Sequence, residues 1–389
     1  MSNRPFDLDH SGPVTPASGV DQRAAMQSVY TDPAALAAEQ SQIFDQDWVM
    51  VGRAGAIPNE GDYFTASVGK RPIIVMRQAD GSVKAMANFC LHRYAKLLDG
   101  SGCAKRIVCP YHFWTYDMAG TLIGVTDRHG FDRDEIKGKT LEPLACDVWM
   151  GFVFVSLRQD LAPLSERLGR LTPHVEAFDL DQYEDRVVVH EEVWQGNWKL
   201  IFENFIESYH TTYTHKGSIG PTNPTNLAEF GPLDERNFSI HSNSYRPEDY
   251  PENHNPKLTE AETKRFYVIA LYPNGLVALD PNFAWWISLE PREVGVTNAR
   301  WGLCYSPHAM KGMADPTAFV EAIRETIVIA TEEDKEMVGR VQDGSAFGSH
   351  NPGMLHAPLE IYLKEFKEYV EQQLATNGRK TIGAGRRRG

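Results

Sequence analysis

From Trp48 the chain breaks into short apolar runs, WVMVGRAGAI, YFTASV, RPIIVMRQ and VKAMANFC, separated by Asn59-Glu60-Gly61-Asp62, Val68-Gly69-Lys70 and Asp80-Gly81. Such runs with turn residues between them predict a small all-β module, which continues through GTLIGV and MGFVFVSL to about residue 158. Ahead of it, residues 1–45 read as an extended arm and a helix from Pro33 to Phe44, with Asp32 as N-cap and Pro33 in the first helical position. After it, LAPLSERLGRL and NWKLIFENFIESYH have helical texture. Between Arg265 and Tyr305 strands return as RFYVIALY, LVALD, AWWISLEP and TNARWGLCY, with Asn274-Gly275 as a hairpin signal. Two helices close the chain: one opens at Asp315-Pro316 and runs toward Arg340, and one carries Leu359, Leu363, Phe366, Val370 and Leu374 as an apolar stripe. The expected architecture is α+β. A small all-β domain spans 46–158, and a larger domain with an antiparallel sheet flanked by helices spans 159–380 and packs with the 1–45 arm. A flexible tail, 381–389, follows.

Length and charge narrow the function. The 389 residues suffice for two or three domains with their own cores. Lys and Arg number 39 against 52 Asp and Glu, and the net charge of −13 argues against nucleic acid or an anionic membrane as partner. The first thirty residues hold no apolar run of signal-peptide length, and no stretch reaches bilayer-spanning length. Five cysteines make a disulfide scaffold unlikely by number, so a reducing cytoplasm is the expectation.

Those cysteines are unevenly placed. Cys90-Leu-His92 and Cys109-Pro-Tyr-His112 form a C-x-H and a C-x-x-H pair with 16 residues between His92 and Cys109. Both pairs fall at turns of the β module, where two loops can pinch one metal centre. A mononuclear zinc, a purely structural set and a two-iron cluster with thiolates on one iron and imidazoles on the other all fit four such side chains. Zinc fingers pair Cys with Cys and His with His, whereas each loop here supplies one of each, which favours the cluster. Cys103, Cys146 and Cys304 have no place in this pattern.

A second constellation is Asn197-Trp198-Lys199, Glu203-Asn204, Glu207, Tyr209-His210 and His215. On a continuous helix with Glu203 at zero, Glu207 falls near ~40° and His210 near ~−20°, one shared face, whereas His215 lies ~140° from His210. His215 joins them only if the helix ends or distorts after His210, as the β-branched and aromatic run Thr211–Thr214 permits. Two histidines and a carboxylate make the facial triad of a non-haem Fe(II) site with positions open for O2. On the helix after Pro316, Phe319, Ile323, Ile327, Ala330, Met337, Val338 and Val341 share a stripe with Asp334 in its middle, and an apolar stripe admits a carboxylate only if it is paired or metal-bound. Asp334 is therefore the expected third ligand, with Glu333 and Glu332 as the alternatives.

Cys-x-His-Arg followed by Cys-Pro-Tyr-His-x-Trp-x-Tyr, then Asn-Trp-Lys, Glu-Asn-x-x-Glu-x-Tyr-His, a second His five residues on and a late Glu-Asp, resembles the alpha subunits of the Rieske non-haem iron, ring-hydroxylating-type oxygenases over roughly residues 40–375. One departure is Tyr94, where family members often have glycine after His-Arg. The resemblance implies a Rieske [2Fe-2S] cluster on Cys90, His92, Cys109 and His112, and a mononuclear Fe(II) on His210, His215 and Asp334. It implies O2 as co-substrate, a small organic substrate, and electrons from NADH through a separate flavin/iron-sulfur reductase, with or without a ferredoxin. A homotrimer is implied too, with Glu207 joining the iron site to the neighbouring copy's His112, and Asn204 and Tyr209 supporting the site. The usual residue at 207 is Asp; Glu occurs in branches that include enzymes acting on quaternary ammonium compounds. Phe283, Trp285 and Trp286 are the expected pocket residues, Phe283 and Trp285 on one strand face and Trp286 on the other. An aromatic wall can stack a ring or cage a trimethylammonium group. Aromatic ring hydroxylation and oxidative demethylation or C–N cleavage therefore stand as equal expectations. A Rieske electron carrier without oxygenase activity and a zinc-binding, non-redox protein are the other readings.

Overall fold

The computed structural model describes residues 28–233, 235–251, 253–347 and 353–385. The extended arm expected before the first helix and the Arg386–Arg388 end of the tail lie outside the described residues. Two compact units emerge, Phe44–Arg167 and the remainder of the chain.

The Phe44–Arg167 unit is built on a seven-stranded antiparallel sheet in the order Val49–Arg53, Phe152–Ser156, Pro143–Trp149, Val83–Ala87, Arg71–Arg77, Asp62–Val68, Ser101–Cys103. A three-stranded sheet, Ile107–Val108, Thr115–Tyr116 and Leu122–Gly124, lies in the same unit. Ile73, Ile74, Val75 and Met76 are all buried, so this central strand is covered on both faces. The unit extends past residue 158 because Arg167 reaches back to pair with buried Asp47 at 2.8 Å. Beneath the two loops with the Cys–His pairs, Ile74, Met86, Ile107, Trp114, Tyr116 and Leu141 form one apolar cluster.

The larger unit holds a second seven-stranded antiparallel sheet: Glu184–Trp194, Val296–Tyr305, Phe283–Glu293, Gly275–Leu279, Arg265–Leu271, Phe238–Ser244, Ala228–Phe230. The Asn274-Gly275 signal marks a hairpin, with Gly275 paired to Leu271. The pattern missed the first strand, whose EDRVVVHEEVW run mixes charge with valine, and LAPLSERLGRL yields only the single turn Leu164–Arg167. Trp286 faces Gly302 across the sheet, and a Cβ there would come within 2.8 Å of the indole nitrogen, so only glycine leaves the ring its space.

The helix Pro33–Glu39 starts at Asp32, whose side chain accepts from Ala34 N, and continues as a wider π-turn through Phe44. It belongs to the larger unit through Glu39, which accepts from Trp198 Nε1 at 2.8 Å and from Lys199 Nζ at 2.5 Å. Asn197 caps the helix Trp198–Phe205 by accepting from Lys199 N. The long helix runs past Arg340 to Ala346, with Asp315 accepting from Ala318 N. The last helix runs from Ile361 to Gly385, into the stretch expected to be flexible. Its buried face is Tyr362, Phe366, Tyr369 and Val370, with Phe366 stacked 4.5 Å from Phe202. Among the described residues no helix is long and apolar enough to cross a membrane.

Lys199 and Glu39 have side chains only 4% and 2% exposed. Removing one partner strands the other as an unpaired buried charge. Glu39→Gln is expected to cost ~3–5 kcal/mol in urea unfolding. Asp160→Ala, which breaks the exposed pair with Arg158, is expected to cost no more than ~1 kcal/mol.

Candidate metal centres and substrate cavity

The two Cys–His loops share one backbone design. Cys90 N donates to Ala95 O and Tyr94 N to Cys90 O; Cys109 N donates to Trp114 O and Phe113 N to Cys109 O. Each loop turns through a left-handed residue at the same offset, Tyr94 at φ 58° and Phe113 at φ 57°. This explains why glycine suits position 94: the conformation costs glycine nothing and a side chain something. Both sulfurs are buried while the imidazoles sit nearer the surface, with His92 Nδ1 and His112 Nδ1 3.2 Å apart. The Tyr116 hydroxyl lies 3.2 Å from Cys90 Sγ and accepts from Leu91 N, and His92 stacks on Trp114. Burial pushes the Cys90 thiol up, against hydrogen bonds from Tyr116 and the loop backbone. A bound metal reverses that balance and deprotonates such a thiol outright. Two buried sulfurs and two paired Nδ1 atoms suit a thiolate- and imidazole-bound iron–sulfur cluster. Cys103 is exposed, outside this set, and all five cysteines are free thiols.

In the larger unit the helix Trp198–Phe205 stops before Glu207, so the continuous helical face expected for Glu203, Glu207 and His210 does not form. Glu203 instead accepts from Tyr30 OH. The cause of the break is Glu207 itself: its carboxylate accepts from Tyr209 N and His210 N, supplying those N–H groups with the acceptor that a continuing helix would have provided. The break thus precedes His210 rather than following it. Thr211–Thr214, expected to resist helix, forms a single helical turn between the two histidines. Gly220 N donates to His215 O at 2.8 Å, and a Cβ on Gly220 would lie 2.6 Å from that oxygen.

This arrangement points both imidazoles at Asp334. His210 Nε2 and His215 Nε2 are 3.2 Å apart, and Asp334 Oδ1 is 3.6 Å and 3.2 Å from them. Asp334 is 3% exposed, and its Oδ1 has no hydrogen-bond partner. Two imidazole nitrogens and a carboxylate oxygen converging in one place are costly unless a proton or a cation sits among them. Two imidazoles and one carboxylate are the donor set of non-haem Fe(II), so these residues fit such an ion. The opposite ring nitrogens are held by carboxylates: His210 Nδ1 meets Glu207, and His215 Nδ1 lies 3.0 Å from Glu333 Oε2. Burial alone would push His210 down, but the Glu207 carboxylate beside it outweighs this and holds it above the ordinary imidazole range. Glu333 also accepts from Gly217 N and Ser218 Oγ, and Glu332 pairs with Lys335. The late carboxylates therefore divide, with only Asp334 facing both Nε2 atoms. The sequence reading missed the roles of Glu333, Ser218 and Gly220, whose only signal was position next to the motif.

The three side chains open onto a cavity of about 760 Å³. Phe283 and Trp285 line it; Trp286 does not, because strand alternation turns it to the other face, where it is fully buried. The expected pocket role of Trp286 is thereby corrected. Phe319, Ile323 and Ile327 line the cavity and are only half-buried for that reason, while Val341, placed on the same stripe, is exposed. Asn204 also lines it, with an unpartnered Nδ2, whereas Tyr209 is half-exposed and stacks on His356. His241 is a further imidazole in the wall, pushed down to about 3 by burial and then by His210, and so neutral. Asp280, Tyr245 and Asn282 add polar groups that the sequence pattern did not flag.

Residues 174–376 match the family model for the catalytic domain of ring-hydroxylating alpha subunits, and residues 47–133 match the Rieske [2Fe-2S] domain. The glycine betaine monooxygenase oxygenase subunit of Chromohalobacter salexigens is 36% identical over 191 residues, 49% of this chain and 42% of that protein. Choline monooxygenase of Spinacia oleracea, a chloroplastic protein, is 27% identical over 366 residues, 91% of this chain and 79% of that one. The match to the glycine betaine enzymes thus spans less than half of their length. A quaternary ammonium Rieske monooxygenase structure shares the fold at TM-score 0.78 and 21% identity, covering 90% of this chain and 95% of that one. Naphthalene 1,2-dioxygenase with bound indole shares it at TM-score 0.72 and 18% identity, covering 91% and 93%. The chain belongs to the Rieske non-haem iron oxygenases, as an alpha subunit with a Rieske [2Fe-2S] domain and a mononuclear-iron catalytic domain.

Proposed function

We propose that the protein is the terminal oxygenase of a multicomponent system that oxidises a small organic cation bearing N-methyl groups, by demethylation or C–N cleavage. Electrons would come from NADH through a separate flavin/iron-sulfur reductase, with or without a ferredoxin. The observation that carries the substrate class is the cavity wall: among the described residues no Lys or Arg lines it, while Asp280 lies in it buried and Phe283 and Trp285 present aromatic surface. An anionic aromatic acid would find no cationic partner there, whereas an ammonium group finds both a carboxylate and ring faces. The choline monooxygenases among the relatives are named for such a cation, whereas the glycine betaine monooxygenases are named for an N-methyl compound that also carries a carboxylate. Ring hydroxylation is the second reading, favoured by the same aromatic pair and by a toluate 1,2-dioxygenase alpha subunit of Pseudomonas putida, 33% identical over 201 residues. Analysis of products from labelled O2 separates the two. Formaldehyde or an aldehyde fragment is the expected outcome, and a phenol or cis-diol would overturn it.

Cys90, His92, Cys109 and His112 would hold the cluster, and His210, His215 and Asp334 the iron. When bound, these centres supply one-electron transfer and reductive activation of O2. The chain's own residues orient the ligands: Glu207 and Glu333 fix the two imidazoles with Nε2 inward. In a homotrimer, Glu207 would be the contact between the iron site and the neighbouring copy's His112. A reducing cytoplasm suits the thiolate ligands and the five free cysteines.

Asp334→Ala is expected to lose the mononuclear iron while the Rieske EPR signal of the reduced protein remains. Glu333→Gln is expected to keep iron but bind it ~10–100-fold more weakly, measured by chelator competition. Glu207→Gln is expected to retain both metals and fail to couple them. Single-turnover product at wild-type yield from the reduced variant would refute that role.

A further inference from the structure

Asp280 stands on the turn Asp280-Pro281-Asn282-Phe283, which joins the strands Gly275–Leu279 and Phe283–Glu293 and is closed by Asp280 N donating to Phe283 O at 2.9 Å. Its side chain lines the cavity and is 3% exposed. Its hydrogen bonds come from the Tyr245 hydroxyl, 2.6 Å from Oδ2, and from Asn282 N, 2.7 Å from Oδ1. Among the described residues no Lys or Arg lines the same cavity. Burial pushes the carboxyl up to about 6, and the bonds from Tyr245 and the turn's backbone offset this only in part. A carboxylate so placed has no Lys or Arg beside it in the cavity wall among the described residues, and leaving it unpaired is expensive.

Two further groups on the same turn and strand await a partner. Asn282 Oδ1 and Trp285 Nε1 are buried without one, and both residues are 5% exposed and line the cavity. Phe283 and Trp285 share a strand face, so carboxylate, amide oxygen and ring faces are offered by residues no more than five apart in sequence.

We propose that Asp280, held by the Tyr245 hydroxyl, is the counter-ion for the cationic nitrogen of the substrate and the residue that selects cations over neutral compounds of the same shape. This rests on the substrate class proposed above. Pairing the ammonium group at Asp280 also anchors one end of the substrate at a fixed point of the wall, in a cavity whose other landmark is the His210–His215–Asp334 set. It disfavours a substrate whose own carboxylate would be buried near Asp280 without a Lys or Arg to meet it.

The test is equilibrium binding by calorimetry to the oxidised holoenzyme, with choline and its neutral carbon isostere 3,3-dimethyl-1-butanol. Wild type is expected to bind choline at least ~10-fold more tightly than the isostere, about 1.4 kcal/mol. Asp280→Asn is expected to erase that preference while keeping affinity for the isostere, which shows the cavity intact. Tyr245→Phe is expected to weaken the preference without abolishing it. If Asp280→Asn keeps the wild-type preference, the anchor is refuted and the substrate class stands. If wild type shows no preference for the cation and forms only ring-oxidised products, the substrate class falls and the anchor with it.

Discussion

The convergence of two imidazole nitrogens on one buried carboxylate oxygen is the constraint on which the larger unit depends. Left alone, His210, His215 and Asp334 bring two imidazole nitrogens and a carboxylate oxygen together, an arrangement that costs free energy unless a cation joins it. The surrounding fold holds it in being. The Trp198–Phe205 helix is locked by Asn197 and by the buried Lys199–Glu39 pair, and the long helix carrying Asp334 starts from a defined cap. Stability is invested in the supports, and the site itself is left under tension that a bound cation relieves.

Outward from that centre, charge alternates. Each imidazole lies between the metal position and a carboxylate, Glu207 for His210 and Glu333 for His215. Both carboxylates also accept backbone N–H groups of the segment that carries the histidines. One interaction thus does two things: it fixes the ring orientation and it shapes the chain. That explains why the segment from Ile206 to His210 is irregular although the sequence around it favours helix, since the local acceptor at Glu207 outcompetes the helical one.

The candidate ligands were legible in the sequence because chemistry restricts such sets to Cys, His and a carboxylate at given spacings. Periodicity favoured Asp334 and left Glu332 and Glu333 as alternatives, and the structure turns only Asp334 toward both Nε2 atoms. The strands of the Arg265–Tyr305 region were legible for the same reason of strict period. What periodicity could not convey was the path between ligands. A wheel drawn through Glu203, Glu207 and His210 assumed unbroken hydrogen bonding, and a single side-chain acceptor invalidated it. Thr211–Thr214 shows the converse, a turn of helix in residues of poor propensity, imposed by tertiary context. Asp280 and Tyr245 were illegible because they lie 35 residues apart and carry no motif.

The two Cys–His loops suggest why the sequence signature of the small domain is so compact. Each loop repeats the same two backbone hydrogen bonds and the same left-handed residue, so each needs only a short stretch of chain to present its sulfur inward and its imidazole outward. Tyr94 and Phe113 accept the strain of that conformation while 75% and 67% exposed. Glycine at 94 would relieve the strain but would remove an exposed aromatic ring whose neighbour is Phe89, at a centroid distance of 6.0 Å.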